Sequence, residues 1–216
     1  MISKNLFSLT GKTALVTGGS TGIGLMATVG LVSAGAKVFI VSRKLENCQN
    51  AAKKLNDCNF DGEVIPFKGD LSSEAGINNI IEEFYAKNSE LHILVNNAGR
   101  TWGSDLTSFP YNAWAKVLNL NVSAIFYLTQ KLVPLLTASS RSDFPSRVIN
   151  IGSVMGEVPM GEGAYSYAAS KSAVHHITRI LAKELAERNI TVNALSPGPF
   201  QSNMTNFAIG DSKGTT

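Results

Sequence analysis

Short runs of β-branched and apolar residues alternate with longer amphipathic stretches from one end of the chain to the other. A short apolar run is typical of a buried strand in a parallel sheet, and a longer stretch with helical spacing is typical of the crossover that joins two such strands. The pattern therefore predicts repeated βαβ units and an α/β fold, a doubly wound parallel sheet with helices on both faces, in the strand order 3-2-1-4-5-6.

Six strands and five helical stretches are predicted from this alternation. The strands are Thr13–Thr17, Lys37–Ser42, Glu63–Lys68, Leu91–Val95, Arg147–Gly152 and Thr191–Leu195. The helices lie near Gly22–Ser33, Leu45–Asn56, Ser73–Asn88, Asn112–Thr137 and Tyr165–Arg188.

The length of 216 residues is enough for one sizeable core and short for two, so residues 1–216 are interpreted as a single domain. No signal peptide or apolar run long enough to span a membrane is visible. A net charge of +3, with its cations dispersed, does not indicate a nucleic-acid surface. Cys48 and Cys58 are interpreted as free thiols of a reducing compartment, and the three histidines match no zinc-ligand spacing.

A glycine-rich turn follows the first predicted strand and leads directly into the first predicted helix. Its sequence is Thr17-Gly18-Gly19-Ser20-Thr21-Gly22-Ile23-Gly24. Gly18 permits the tight turn, Gly22 allows a pyrophosphate to approach the backbone, and Gly24 allows the helix to pack close to the strand. Because the helix N-terminus adds unpaired N–H groups and a positive dipole end, the turn predicts a dinucleotide site of the Rossmann type.

The second predicted strand ends at Ser42, where a protein specific for NAD normally carries a carboxylate. Arg43 and Lys44 follow. A guanidinium matches phosphate oxygens in charge and geometry, so this end predicts NADP(H), whose ribose carries a 2′-phosphate. The alternative is that both cations are ordinary solvated charges at a strand end. Asp70, followed by Leu71, is a candidate acceptor for the adenine amino group or an ordinary turn residue.

Tyr167 and Lys171 stand four residues apart at the start of the last predicted helix, so their side chains share one face. A phenol titrates near pH 10 and is a poor acid at neutral pH, but a neighbouring ammonium stabilises the phenolate and lowers its pKa. Taken alone, such a pair is more often an ordinary surface pair.

Polar residues also follow the fourth and fifth predicted strands, at the edge where open α/β sheets bind ligands. Asn96-Asn97-Ala98-Gly99 closes the fourth strand, and Ser153, whose hydroxyl can donate to a carbonyl, follows the fifth. Asn121 lies among apolar residues of a predicted helix, where its amide requires a partner. Each is singly more often a cap or a turn residue, and their convergence at one edge predicts an active site.

With these motifs in this order, the chain resembles the short-chain dehydrogenase/reductase family over nearly its whole length. The matching segments are the glycine-rich turn, Asn96-Asn97-Ala98-Gly99, Ser153, Tyr167-x-x-x-Lys171 and Pro197-Gly198. The resemblance implies that Tyr167 is the general acid and that Lys171 binds the nicotinamide ribose and lowers the tyrosine pKa. It implies that Ser153 orients the carbonyl and Asn121 holds a proton-relay water. It also implies a cofactor site for NADP(H) built from the glycine turn with Ser20, Thr21 and Ile23, and from Ser42, Arg43, Lys44, Asp70, Leu71, Asn97, Ala98, Gly99, Pro197, Gly198 and Ser202.

Within the family, the chain is most similar to the 3-oxoacyl thioester reductases, and especially to the rhamnolipid-type branch of the 3-oxoacyl-carrier-protein reductases. The shared segments are 97–103, 149–153 and 181–185. The resemblance implies an NADPH-dependent ketone reductase of fatty acid metabolism, a cytoplasmic homodimer or homotetramer acting on a carrier-bound or CoA thioester. A sugar, polyol or xenobiotic carbonyl is the alternative substrate. A non-catalytic NADP(H)-binding module is the alternative class of protein.

The segment after Pro197-Gly198 departs from the family pattern. Family members usually continue through another helix and a seventh strand, whereas this sequence ends in the polar stretch 210–216. Few apolar anchors are present beyond Gly198 to offset the entropy of ordering. We therefore expect this segment to be mobile, and to be held only by a ligand or a neighbouring subunit.

Overall fold

The structure is a computed structural model that describes residues 6–160 and 163–199. Its six parallel strands form one sheet in the order β3-β2-β1-β4-β5-β6, which confirms the predicted fold class and strand order. The strands are β1 (Thr13–Thr17), β2 (Lys37–Ser42), β3 (Glu63–Lys68), β4 (Ile93–Asn96), β5 (Ser146–Ile151) and β6 (Ile190–Leu195). The helices are α1 (Gly22–Ser33), α2 (Leu45–Asn56), α3 (Glu74–Lys87), α4 (Tyr111–Leu118), α5 (Ala124–Ser139) and α6 (Tyr165–Leu185).

Two apolar layers cover the two faces of the sheet. On one face, Val32 of α1 and Leu55 of α2 pack against buried residues of β1, β2 and β4. On the other face, Phe84 of α3, Leu128 of α5 and Leu181 of α6 form the larger core. Because both faces are covered, the central strands are buried along almost their whole length, and the loops at the strand ends are left free to build a site. No helix in the described part of the chain is long and apolar enough to cross a membrane.

The helix predicted over Asn112–Thr137 is divided in the structure. A π-helical turn over Asn119–Ser123 separates α4 from α5, and the Ala124 N–H donates to the Asn119 carbonyl five residues earlier. A π turn inserts one residue and rotates the following side chains. Apolar spacing alone does not reveal it, because the residues on either side keep a helical pattern.

A buried histidine, His92, lies directly before β4. His92 is only 5% exposed, and its Nδ1 accepts the Thr13 N–H at 3.1 Å. Burial lowers the His92 pKa below its ordinary value; Lys12 and Arg141 lower it further, and Glu90 acts in the opposite direction. The folded protein therefore binds a proton at this site less readily than the unfolded chain, whose histidines titrate near about pH 6.5.

The free energy of unfolding is expected to fall as the pH is lowered through about 6.5, because the unfolded state there binds more protons than the folded state. Urea unfolding at pH 7.5 and at pH 5.5 measures this loss. His92→Asn retains an acceptor for the Thr13 N–H without a titrating ring, so it should reduce the difference between the two pH values. The matched control is His176→Asn at an exposed position of α6. If the free energy of unfolding depended on pH equally in the wild type and His92→Asn, His92 would not be the group responsible for the loss of stability.

Candidate active site

A cavity of about 830 Å³ lies at the carboxyl edge of the sheet. Each of the six strands runs into a loop that contributes to its wall, as expected for an open α/β sheet. In strand order around the cavity, these loops contribute Asp70, Ser42, Gly18, Asn97, Ser153 and Gly198.

The glycine turn has the geometry that the sequence predicts. Gly18 and Gly22 have positive φ angles of 66° and 54°, a backbone region that favours glycine. A Cβ on Gly24 would overlap the Gly18 carbonyl, so only glycine allows α1 to lie this close to the turn. Within the described residues, no side chain caps the N-terminus of α1 at Thr21. The free N–H groups and the dipole of that terminus therefore suit an anion such as a pyrophosphate.

Thr17 and Asn97 hold the glycine turn against the end of β4. The Thr17 hydroxyl accepts the N–H groups of Asn97 at 2.9 Å and Ala98 at 3.0 Å. In return, Asn97 Nδ2 donates to the Thr17 carbonyl at 2.9 Å. These reciprocal bonds fix the two loops on which a dinucleotide would rest. Thr17 is a member of this site that sequence reasoning did not single out.

The end of β2 presents Ser42 and Arg43 to the cavity. The Ser42 hydroxyl donates to the Lys44 carbonyl at 2.8 Å. The buried Cys48 thiol donates to the same Ser42 hydroxyl at 3.3 Å. The Asp70 pKa is lowered mainly by the Ser72 N–H, which the Asp70 carboxylate accepts at 2.9 Å, and to a smaller extent by the charge of Arg43. The Arg43 guanidinium therefore places a cation at this end of the cavity, near an ionised Asp70.

The opposite end of the cavity contains Tyr167, Lys171 and Ser153. Lys171 is only 4% exposed, and its Nζ donates to the Ile151 carbonyl at 2.6 Å. That bond directs the ammonium back towards β5, and Nζ lies 5.5 Å from the centroid of the Tyr167 ring. Ser153, at the carboxyl end of β5, is 7% exposed and also lines the cavity.

Burial shifts the pKa of both helix residues. It raises the Tyr167 pKa, while the nearby Ser153 hydroxyl acts in the opposite direction. Burial lowers the Lys171 pKa to about 8. At neutral pH Lys171 is therefore mostly an ammonium, which is the form needed to stabilise a phenolate. The expectation that Lys171 lowers the Tyr167 pKa stays a prediction, to be tested by the pH profile.

Asn121 is fully buried in the π turn between α4 and α5. Its Oδ1 accepts the Arg100 N–H at 2.9 Å, and its Nδ2 donates to the Arg100 carbonyl and to Ser170 Oγ, both at 2.9 Å. It therefore holds the Arg100 backbone at the cavity wall and joins that loop to α6. Asn121 is not among the described residues that line the cavity, and its role in a proton relay stays a prediction.

The structure brings most of the predicted site residues to one cavity. The lining includes Gly18, Thr21, Gly22, Ile23, Ser42, Arg43, Asp70, Leu71, Asn97, Ala98, Gly99, Ser153, Tyr167, Lys171, Pro197 and Gly198. Ser20, Gly24 and Lys44 lie outside it, and Ser202 falls outside the described residues. Arg100 and Thr101 also line the cavity, although sequence reasoning gave them no role.

The cavity, the anion-binding turn and the set of Tyr167, Lys171 and Ser153 define an oxidoreductase that uses a nicotinamide dinucleotide. The residues fit that cofactor, because the turn suits a pyrophosphate and Arg43 suits a 2′-phosphate. The particular family follows from comparison with known proteins. The chain belongs to the short chain dehydrogenase family, whose model matches residues 12–211.

Two curated relatives and one solved structure illustrate the similarity. The rhamnolipids biosynthesis 3-oxoacyl-[acyl-carrier-protein] reductase of Pseudomonas aeruginosa is 49% identical over 208 residues, which cover 95% of this chain and 79% of the relative. The 5-keto-D-gluconate 5-reductase of Escherichia coli is 33% identical over 208 residues, covering 96% and 79%. The Pseudomonas aeruginosa RhlG/NADP active-site complex superposes with a TM-score of 0.90 at 47% identity, covering 98% of this chain and 81% of that one.

Proposed function

We propose that the protein is an NADPH-dependent reductase that converts the keto group of a 3-oxoacyl thioester into a hydroxyl group. The observation that carries this proposal is the convergence of Tyr167, Lys171 and Ser153 at one end of a cavity whose other end carries Arg43. The thioester, linked to CoA or to a carrier protein, is proposed from the 49% identical relative, whose name describes that substrate class.

The chain's own residues supply the proton and orient the carbonyl. Tyr167 donates its phenolic proton to the carbonyl oxygen, and Ser153 donates a hydrogen bond to the same oxygen. The Lys171 ammonium, held by the Ile151 carbonyl at 2.6 Å, stabilises the phenolate that remains. NADPH, when bound, supplies the hydride that reduces the carbonyl carbon.

The proposed cofactor contacts divide between the two ends of the cavity. At one end, the N-terminus of α1 with Gly22 and Ile23 would hold the pyrophosphate. Ser42 and Arg43 would hold the 2′-phosphate, with Asp70 towards the adenine. Near the other end, Asn97 and Lys171 would hold the nicotinamide half of the cofactor. Each assignment uses a residue that lines the cavity.

The alternative substrate is a keto sugar acid, because a relative that is 33% identical over 96% of the chain is named a 5-keto-D-gluconate 5-reductase. An NADPH-oxidation panel separates the two substrates. It should contain 3-oxoacyl-CoA and 3-oxoacyl-carrier thioesters of several chain lengths, 5-keto-D-gluconate and simple ketones. The highest kcat/KM is expected with a 3-oxoacyl thioester. A higher value with the keto sugar acid would support the alternative, and NADPH binding without turnover of any ketone would support a binding module.

We further propose that the chain acts as a single domain and assembles as a homodimer or homotetramer. The support is that large apolar side chains are exposed on α4 and on α5. Tyr111 of α4 is 92% exposed, and Phe126 of α5 is 41% exposed. Burial of such side chains against a second copy would be favourable. Analytical ultracentrifugation tests the assembly, and a monomer at micromolar concentration would contradict it.

NADPH is expected to bind tens of times more tightly than NADH, because one charge-assisted phosphate contact contributes on the order of 2 kcal/mol. In the double variant Ser42→Asp with Arg43→Leu, that contact is lost and a carboxylate can accept the ribose hydroxyl. The preference should therefore weaken or reverse. Fluorescence titration with both nucleotides measures the ratio of the dissociation constants.

Lys53→Leu is the matched control for the cofactor test, because Lys53 is an exposed cation of α2 that pairs with Asp57. It should leave the ratio of the two dissociation constants unchanged. Equal affinities of the wild-type protein for NADPH and NADH would refute the role of Arg43.

A further inference from the structure

A largely buried histidine packs against the backbone of Ser153 and has no part in the proposed chemistry. His175 follows Lys171 by one turn of α6, and its side chain is about 10% exposed. The ring packs against the turn after β5 so closely that a Cβ on Gly152 would overlap its Nε2. A Cβ on Gly156 would lie 2.9 Å from its Cε1. Both glycines therefore leave room for this ring.

The backbone hydrogen bonds of the turn show what the ring does. The N–H groups of Gly152 and Val154 donate to the carbonyls of Leu195 at 2.7 Å and Pro197 at 3.2 Å, which extend β6. The Ser153 N–H, between them, donates to His175 Nε2 at 3.3 Å. The imidazole therefore completes the hydrogen bonding of the backbone that carries the Ser153 side chain. Without this acceptor, the Ser153 N–H would be left without a partner, which is unfavourable for a buried donor.

The neighbours of the ring are consistent with a neutral imidazole that carries its proton on Nδ1. Ser196 Oγ donates to Glu157 Oε1 at 2.7 Å, and that oxygen lies 3.7 Å from His175 Nδ1. With the Ser196 proton directed to the carboxylate, the Nε2 lone pair is left for the Ser153 N–H, although Ser196 Oγ lies 3.2 Å from it. This tautomer is inferred from the network.

The same three side chains, Ser196, His175 and Glu157, are the types that form hydrolytic triads, but their arrangement does not suit that chemistry. A triad serine donates its proton to the histidine, whereas Ser196 donates to Glu157. The His175 lone pair that would accept the serine proton is already used by the Ser153 N–H. The cluster therefore has a structural task at the edge of the active site.

We propose that His175 is a positioning residue for the reduction, which fixes the backbone of Ser153 and thereby the direction of its hydroxyl. The inference rests on the proposed function, because it assigns the carbonyl-orienting role to Ser153. The Ser153 hydroxyl also accepts the Met155 N–H at 3.2 Å, so backbone and side chain of this turn are held together. A displacement of about 1 Å at such a group can reduce a rate by as much as a hundredfold.

Two amide substitutions of His175 test whether the position of the hydrogen-bond acceptor matters, as distinct from the loss of the imidazole ring. His175→Gln extends an amide oxygen about as far along the side chain as Nε2, so it can still accept the Ser153 N–H. The oxygen of His175→Asn is one bond short of that position. His176→Asn, at the neighbouring exposed position, is the matched control. His175→Leu, which fills the space without an acceptor, replaces the Asn variant if that variant does not fold.

The first measurement is hydrogen exchange of the Ser153 amide in the NADPH-bound protein, which does not depend on turnover. We expect faster exchange in His175→Asn than in the wild type, with His175→Gln and the control close to the wild type. Equal exchange in all variants would overturn the proposal. If the wild-type protein binds NADPH but reduces no ketone, the proposed function fails, whereas the exchange result still decides whether His175 holds the turn.

The second measurement is kcat with the best ketone of the panel. His175→Asn should lower kcat about tenfold and change the dissociation constant of NADPH less than twofold, while His175→Gln should retain at least a third of the wild-type kcat. Because His175 acts through Ser153, His175→Asn should lower kcat less than twofold in a Ser153→Ala background. An unchanged kcat in His175→Asn, or a full tenfold loss in the Ser153→Ala background, would overturn the positioning role.

Discussion

Tyr167→Phe is expected to reduce the rate of ketone reduction about a thousandfold, the middle of the range for general acid catalysis. The substitution removes the transferable proton and retains the ring. Tyr167 is half-buried at the cavity wall, so the ring continues to fill the same space. NADPH affinity should therefore change less than twofold, and the whole effect should appear in kcat.

Tyr165→Phe is the matched control for this substitution. Tyr165 lies two residues earlier on α6, and its ring packs edge-on against Phe109 with centroids 5.4 Å apart. It has Ala169, not a lysine, four residues later. Stopped-flow or steady-state NADPH oxidation compares the two variants. Wild-type turnover in Tyr167→Phe would remove the general acid from the mechanism.

The strands could be predicted closely because both faces of the sheet are covered. β1, β2 and β3 begin and end at the predicted residues. β4 begins at Ile93, two residues later than predicted, because the Leu91 N–H donates to Ser139 Oγ outside the sheet. Hydrophobic spacing carries no information about such a side-chain partner, so strand ends are less predictable than strand centres.

The convergence of the site could be predicted from chain order alone. The carboxyl ends of parallel strands meet at one edge, so residues that follow different strands, such as Ser42, Asn97 and Ser153, must lie around one cavity. Tyr167 and Lys171 are four residues apart on a helix, and helix geometry therefore places their side chains on the same face.

The supporting hydrogen bonds could not be predicted in this way. Thr17, Arg100 and His175 contribute through contacts with residues between 21 and 81 positions away in the sequence. In each of these contacts one of the two partners is a backbone group, which every residue carries, so no motif marks the contact. Asn121 was predicted to need a partner, but the π turn that directs it to Arg100 is visible only in the structure.

Lys171→Met is the second substitution with a large expected effect, because it removes the buried ammonium and retains much of the side-chain stem. At pH 7, kcat/KM for reduction should fall about a hundredfold, since the Tyr167 phenolate loses its neighbouring cation. The wild-type rate should also decline as the pH rises past about 8, where Lys171 loses its proton. In Lys171→Met this group is absent, so the rate does not decline near pH 8. The rate of the variant should instead decline with the titration of Tyr167, whose pKa is raised by burial, so the pH optimum for reduction shifts upward.

The same substitution should stabilise the fold, because burial of the ammonium is unfavourable. The shift of the Lys171 pKa from 10.5 to about 8 corresponds to a cost on the order of 3 kcal/mol. The unfolded state binds more protons than the folded state between pH 8 and 10.5, so wild-type stability should gain from Lys171 as the pH rises through this interval. Lys171→Met should be more stable at pH 7 and should lack this gain.

Lys183→Met is the matched control, because it removes an exposed cation from the same helix, three turns further along. It should change neither the pH profile nor the urea midpoint by a measurable amount. The decisive comparison is between activity and stability in Lys171→Met, measured on the same preparation. If the buried Lys171 ammonium serves catalysis at the expense of stability, the Lys171→Met protein should be slower and more stable than the wild type. A Lys171→Met protein that is slower and less stable would show that Lys171 supports the fold. If the rate of the variant still declined above about pH 8 as in the wild type, another group would be titrating there.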